Sequence, residues 1–551
     1  MAAFRPSTHQ PDLPLDRFLV TDTPDEEAVP MDVVIVGAGP AGLACAIELS
    51  NLIAKDNESG DGLGEVEIAV LEKAAELGQH NLSGAVVNPR SFQELFPDLS
   101  LEDFPFRKPV EGEKVYFLTE GGSWRIPTPP PMKNHGNHIA SICEMVRWLG
   151  EKAEERGVNV FTGFPVHSLL MDGDAVRGVR TVPAGLDRDG GETAGYEPAG
   201  DITGRVVCLS EGTRGPLAQA WMQHQKVSAP NPQIYALGVK EIWEVKQPLD
   251  SIVHTMGWPV PKNAFGGSFM YPLADDLVAL GLVVGLDYKQ HDTDVHRMLQ
   301  EMKQHPFFAK TLEGGECVEW GAKTIPEGGY WSLPERLSGD GVLLTGDCAG
   351  FVEVASLKGI HYAMKSGIEA ARAIFKALKA NDTSAAGLSS YDTAMRESFV
   401  YEDLKKRRNM RLAFKSGFFL GAIKAGLATV TGGAFPGGQI EIESDAAEER
   451  TVGESTPFTP DGSRTFQKVD AVYKSGNQTR DDIPSHLMAA DDVPPELAQL
   501  YEHMCPAGVY EATADGLTIN APNCVDCKAT DILGPRWEPR EGGSGPRYKR
   551  M

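Results

Sequence analysis

Three cysteines near the C-terminus are spaced for metal chemistry. Cys505 is followed at once by Pro506, and Cys524 and Cys527 form a C-x-x-C pair. They fall in a tail rich in turn residues, which also holds CPAGVY at 505–510 and EGGSGPRY at 541–548. Iron–sulfur ligands are commonly spaced this way, because a tight turn must aim several thiolates at one small inorganic cube. A fourth ligand is expected three residues after Cys527, and Thr530 stands there. The tail points to electron transfer, with Thr530 in place of the last expected thiolate.

A second constellation lies at the other end. DVVIV at 32–36 is a short β-branched run suited to a buried parallel strand, GAGPAG follows at 37–42, and LACAIEL continues as a helix. In that context Gly37 permits the tight turn and Gly39 lets backbone approach a pyrophosphate. Gly42 lets helix and strand pack closely, and the helix N-terminus faces the phosphates. A second strand, VEIAVL at 66–71, ends in Glu72, a carboxylate placed to accept hydrogen bonds from ribose hydroxyls and to repel a 2′-phosphate. A polar insertion at 55–64 puts Glu72 30 residues past Gly42.

Two further signals favour FAD over NAD. SEGTRG at 210–215, containing Gly212, follows the strand-like VVCL at 206–209. GVLLTGD at 341–347 reads as a strand ending in Gly346 and Asp347, ahead of a helix opening at Gly359. In two-domain flavoproteins such an aspartate binds the ribityl chain, and the following helix start lies near the pyrimidine ring. The FAD domain is thus discontinuous, with other domains inserted.

Composition narrows the class. The 551 residues exceed one domain, and 41% apolar content supplies a large core. A net charge of −25 argues against nucleic acid as a partner. Eight cysteines in this length do not form a secreted disulfide framework, and Cys45, Cys143, Cys208, Cys317 and Cys348 read as reduced core residues. The acidic first 30 residues suit neither a signal peptide nor a mitochondrial presequence, which fits a bacterial cytoplasm. With the membrane contact expected of residues 405–440, the expected site is the cytoplasmic face of a bacterial inner membrane, or the mitochondrial inner membrane if a targeting peptide was removed.

No catalytic dyad is visible in the middle of the chain, where the histidines are scattered. The loop FGGSFMY at 265–271 and the run LVALGLVVGL at 277–286 suit a sheet beside the isoalloxazine. Residues 405–440 hold Lys405, Lys406, Arg407, Arg408, Arg411, Lys415 and Lys424 with no acid, around the apolar run at 418–430. Lys424 and several glycines make this a poor spanning helix, so a surface-lying anchor on anionic lipid is expected. Residues 441–500, acidic and rich in Pro and Ser, read as a linker.

Together these stretches, with EKAAELGQHNLSGA at 72–85 and KGIHYAMKSG at 358–367, resemble the electron-transfer-flavoprotein–ubiquinone oxidoreductase family over about residues 28 to 551. The resemblance implies a two-domain, glutathione-reductase-like FAD fold of mixed α/β type, with an inserted quinone-binding domain and a C-terminal ferredoxin-like domain. It places the FAD-binding domain at 28–90, 140–215 and 335–400, and the ubiquinone-binding domain at 91–139 and 216–334. A membrane-contact segment follows at 401–440, then the linker and 4Fe-4S domain at 441–551. FAD would be held by Gly37, Gly39, Gly42, Glu72, Gly84, Gly212, Gly346, Asp347 and Gly359, the quinone by backbone at Gly266 and Gly267, and the cluster by Cys505, Cys524 and Cys527. The implied activity is electron transfer from reduced electron transfer flavoprotein through FAD and an iron–sulfur cluster to ubiquinone. The implied setting is a monotopic, monomeric protein on one leaflet, with a second amphipathic contact near 79–97. No acid–base triad is required, because the cofactors carry the chemistry.

The family pattern ends C-x-x-C-x-x-C, and here the last position is Thr530. The fourth iron could take Asp531, Thr530, water or hydroxide. That iron could be lost, leaving a three-iron centre. The site could be empty, or the residue could be a deliberate substitution or a sequence error. A cluster with three cysteine ligands is the expectation. The competing functions are a flavin monooxygenase or halogenase, a FixC-like electron-transfer or geranylgeranyl-reductase-type flavoprotein, and an FAD scaffold without quinone reduction.

Overall fold

Buried β-branched runs set the first sheet. A computed structural model describes residues 3–60, 62–84, 86–453, 457–514 and 516–551; Ala85, the last residue of the 72–85 motif, lies outside them. Strands Asn159–Thr162, Ile68–Glu72, Val29–Val36, Asp201–Leu209 and Val342–Leu344 lie side by side in that order, all parallel. Val33, Val34 and Ile35 are fully buried, as expected where helices cover both faces of a parallel sheet. The first part of Asp201–Leu209 also pairs antiparallel with Ala175–Thr181, which pairs with Val166–Asp172.

Helix Pro40–Asn57 starts with Gly39 as its extended N-cap and Pro40 in the first turn, where a missing N–H costs nothing. It crosses helix Ile360–Lys379 in direct contact. A Cβ on Gly367 would lie 2.1 Å from the Ala41 carbonyl oxygen, so only glycine permits this crossing.

The second sheet has seven strands, ordered Glu316–Pro326, Tyr235–Glu244, Leu277–Gly285, Gly266–Ala274, Ile252–Gly257, Glu113–Thr119 and Gly122–Ile126. Two come from before residue 140 and five from after residue 216, so chain order and spatial order part company here as well. Its core holds Trp243, Trp320 and a fully buried ion pair. Lys303 Nζ donates to both oxygens of Glu241 at 2.8 and 2.9 Å. Trp243 Nε1 at 2.7 Å and Gln300 Nε2 at 3.1 Å complete the carboxylate's partners.

The cysteine module contains helix Pro495–Met504, a hairpin of Tyr510–Thr513 with Gly516–Ile519, and the short helix Ala529–Leu533. It sits on the outer strand Glu316–Pro326. The segment before it is anchored to the second sheet: Arg450, fully buried, donates to the Leu286 carbonyl at 2.6 Å and the Asp445 carbonyl at 2.9 Å. Strand Arg450–Thr451 pairs with Ala3–Phe4, which brings the N-terminal residues to the same edge.

Among the described residues of the stretch 79–97 the large apolar side chains do not form an exposed face. Phe92, Leu95 and Phe96 are buried, and Phe92 and Phe96 pack on Phe104 and Trp148. Cys45, Cys143, Cys208, Cys317 and Cys348 are all free thiols, the first four buried.

Candidate functional site

A cavity of about 320 Å³ runs between the two sheets. Gly37, Gly39, Glu72, Gly84, Gly212, Gly346, Asp347 and Gly359 all line it. Gly42 does not; it acts one layer back, where a Cβ would lie 2.1 Å from the Gly37 carbonyl oxygen and 3.0 Å from Ile35. Gly37 has φ +106°, and a Cβ there would lie 2.5 Å from the Ser210 carbonyl oxygen. At Gly39 a Cβ would meet only Asn81 Nδ2, at 3.8 Å. The space that glycine leaves open at position 39 therefore belongs to the cavity, as a backbone cradle for a pyrophosphate requires.

Glu72 accepts from the Ala38 N–H at 3.0 Å and the Ala74 N–H at 2.9 Å, one bond per carboxylate oxygen. Each oxygen keeps accepting capacity toward the cavity. Asp347 follows the short strand Val342–Leu344 and is held at 3.5 Å from the Thr213 hydroxyl. Burial pushes its carboxyl up to about 6, against the pull of Lys323 and Thr213. A polyol chain that donates to this carboxylate would offset the cost of burying it.

The sequence reading missed the basic residues of this cavity. Lys73, Lys240, Lys323, Lys358 and Lys528 line it in a chain of net charge −25. Lys240 donates to the Ser83 carbonyl at 2.8 Å and Lys528 to the Arg214 carbonyl at 3.1 Å. Burial lowers Lys240 and Lys358 to about 8 and Lys528 to about 7. Such amines are poised to pair with an anionic ligand. Strand residues such as Lys240 and Lys323 carry no motif that could have marked them in advance.

The three cysteines converge. Cys505, Cys524, Cys527 and Thr530 line one small cavity together with Tyr510. The Val509 N–H donates to Cys505 Sγ and the Asp526 N–H to Cys524 Sγ, each at 3.4 Å. The Ala529 N–H favours the Cys527 thiolate in the same way. Burial outweighs these donors and holds the thiols protonated, Cys524 up to about 12, so a cation is needed to draw off the protons. Three buried sulfurs with backbone donors fit iron–sulfur ligation. The fourth position does not. The Thr530 hydroxyl donates to the Pro535 carbonyl at 3.1 Å, which leaves Tyr510 Oη to donate to Thr530 at 2.5 Å. His486 flanks Cys524 and Asp526, their ligand atoms all within 4.8 Å of one another, and neither of its ring nitrogens has a hydrogen-bond partner.

The two sites are joined by hydrogen bonds. The Cys527 carbonyl accepts from the Thr324 N–H at 3.0 Å and the Thr324 hydroxyl at 2.7 Å. The Thr324 carbonyl in turn accepts from Thr213 Oγ at 2.9 Å, the same hydroxyl that faces Asp347. Lys323, the neighbour of Thr324, reaches the Asp526 carbonyl at 3.1 Å.

Gly266 and Gly267 open the strand Gly266–Ala274 and do not line the main cavity. Pairing with Ile252–Gly257 stops at Thr255 and Ser268, so these glycines are in register only with Val284 and Val283 on the other side. Phe265 packs on Phe414, and Phe117 on Phe418, which roots helix Phe418–Val430 beside them. That helix shows Leu420, Ile423, Leu427 and Val430 to solvent, Val430 at 87% exposure. The basic cluster is divided. Arg407 pairs with Glu353, Arg411 with Glu327 and Asp287, and Lys415 with Asp287 and Glu448, so these three hold the helix root to the body. Lys405 and Lys406 are exposed. Among the described residues no helix is long and apolar enough to cross a membrane.

The ETF-QO ubiquinone-binding family model matches residues 235–325, and the electron transfer flavoprotein-ubiquinone oxidoreductase 4Fe-4S model matches 462–549. The chain is 38% identical over 551 residues to the mitochondrial electron transfer flavoprotein-ubiquinone oxidoreductase of Oryza sativa subsp. japonica, covering 95% of this chain and 94% of the relative. The Homo sapiens protein of the same description is 37% identical over 557 residues, covering 94% and 89%. Among solved structures, a geranylgeranyl bacteriochlorophyll reductase-like protein from Thermoplasma acidophilum superposes with TM-score 0.55 at 17% identity, covering 74% of this chain and 90% of that one. The flavin-dependent brominase Bmp2 gives 0.51 at 19%, covering 74% and 94%. Those two likenesses speak for the flavoprotein fold alone.

Proposed function

The chain belongs to the electron transfer flavoprotein–ubiquinone oxidoreductase family, and we propose that it takes electrons from reduced electron transfer flavoprotein and reduces ubiquinone at a membrane surface. The observation that carries this reading is the Cys527–Thr324–Thr213–Asp347 connection, which ties the cysteine loop to the flavin cavity within one chain. When bound, FAD supplies a two-electron store and the cluster a one-electron relay.

The chain's own residues position and tune. Gly37, Gly39 and the start of helix Pro40–Asn57 hold the pyrophosphate, and Glu72 the ribose. Asp347, Gly346 and Gly359 take the ribityl and ring end. Lys240, Lys323 and Lys528 offset negative charge that arrives in a buried space. Backbone at Gly266 and Gly267 meets the quinone head, at the root of the exposed helix. That helix lies on one leaflet with Leu420, Ile423, Leu427 and Val430 in the acyl boundary and Lys405 and Lys406 toward anionic headgroups. We place the protein as a monomer on the cytoplasmic face of a bacterial inner membrane. This arrangement separates it from the monooxygenase, FixC-like and scaffold readings, none of which uses both a fused cysteine module and a lipid-facing quinone site.

The test is reduction of ubiquinone in anionic vesicles by the anaerobically purified holoprotein. Reduction that depends on added reduced electron transfer flavoprotein, and falls on replacing Leu420 and Ile423 with Asp, supports the reading. NADPH oxidation with oxygen uptake in its place contradicts it.

A further inference from the structure

We infer that the cluster of this chain is held by three thiolates alone, leaving one iron that no protein side chain ligates and that can be exchanged. This rests on the cluster assignment above.

Hydrogen bonds already made around the fourth corner decide which side chains are free to ligate there. A threonine binds iron well only as an alkoxide, which has no proton to give. Here the Thr530 hydroxyl gives its proton to the Pro535 carbonyl at 3.1 Å. An alkoxide would instead face that carbonyl oxygen, two acceptors in a buried space, which is unfavourable. The Tyr510 hydroxyl already fills the other side at 2.5 Å. Asp531 is no better placed. One oxygen of its carboxylate accepts from Arg214 Nε at 2.6 Å and Gln219 Nε2 at 3.3 Å, the other from the Trp537 N–H at 3.1 Å. Pulling it toward the cysteines would leave Arg214, a half-buried cation, without its carboxylate partner. His486 is unpartnered and its ring lies within 4.8 Å of Cys524 Sγ, but it does not line the cavity that the three thiols share with Thr530. Asp526, the remaining carboxylate, is bound by Lys73 and by Arg540 at 3.1 Å.

The iron at that corner therefore takes water, hydroxide or an added thiolate. Oxidation releases it in a balanced step: one ferrous ion leaves, and one electron passes from the remaining three-iron core to an external one-electron oxidant such as ferricyanide.

The experiment uses anaerobically purified holoprotein and the variants Thr530→Cys and Thr530→Val. Iron and acid-labile sulfide per FAD are measured, with EPR in oxidised and dithionite-reduced states, before and after one equivalent of ferricyanide. Wild type and T530V are expected to lose about one iron in four and gain an oxidised-state signal, reversed by ferrous iron with dithionite. T530C is expected to keep all four. Wild type holding its iron as firmly as T530C overturns the inference, because a protein ligand then exists. T530V losing iron that wild type keeps also overturns it and names Thr530 as that ligand. A loaded T530C beside an iron-free wild type overturns it too, since three thiolates then do not suffice. No iron in any of the three, with FAD bound, overturns the cluster assignment beneath it.

Discussion

Thr324 donates twice to the carbonyl of Cys527, from its N–H at 3.0 Å and from its hydroxyl at 2.7 Å. A single residue of the second sheet thus fixes the loop of Cys527, a proposed cluster ligand, and through its own carbonyl it holds Thr213 over Asp347. Thr324→Val keeps the N–H bond and removes the hydroxyl. The loss should cost about 1 kcal/mol of stability, lower Tm by about 1 °C, and slow electron passage to the flavin several-fold with FAD content unchanged. Stopped-flow flavin reduction beside a melting curve checks both.

Gly39 and Gly42 should fail in different ways. Alanine at 42 would drive its Cβ into the Gly37 carbonyl, so G42A should lower the stability of the flavin-free protein. Alanine at 39 meets only cavity space, so G39A should melt like wild type without flavin yet bind FAD at least tenfold more weakly. Calorimetry on flavin-free protein and FAD titration separate the two.

Asp347 gives a pH dependence. Burial raises its folded value to about 6, above the unfolded one, so the folded chain binds more protons between the two. Stability of the flavin-free protein must then fall as pH rises through the folded value, by about 1 kcal/mol from pH 5.5 to pH 8. Asp347→Asn should abolish this portion, read as the difference between wild-type and variant urea midpoints at the two pH values. An unchanged difference would remove the burial argument.

The Lys303–Glu241 pair is fully buried. Lys303→Met leaves Glu241 with only Trp243 and Gln300 as donors and should cost about 3–5 kcal/mol. Lys303→Met with Glu241→Gln should recover much of it. Chemical denaturation of the set checks this.

The parts of this site legible in the sequence are those carried by local backbone demands. Gly37, Gly39, Gly346 and Asp347 announce themselves because a turn between strand and helix fixes their types. Lys240, Lys323 and Thr324 were invisible, since a polar side chain on a strand does not say which other segment it will meet, and Thr213 sits in the quoted 210–215 turn, whose motif does not name its partners. Thr530 was legible as a departure, but its consequence depended on Pro535 and Tyr510, which spacing alone cannot assign as partners. The basic cluster misled in part. Arg411 and Lys415 read as surface charge, and their acids Asp287, Glu327 and Glu448 come from loops of other segments.

The central claim is that electrons pass between the cysteine module and the flavin cavity of one chain. Its most direct test is rapid mixing of the holoprotein with reduced electron transfer flavoprotein, without quinone, followed by flavin absorbance and freeze-quenched EPR. The account predicts that this protein's flavin is reduced at the donor's expense, that Thr324→Val slows this step, and that ubiquinone then reoxidises the flavin. A flavin that stays oxidised beside a fully reduced donor would contradict it.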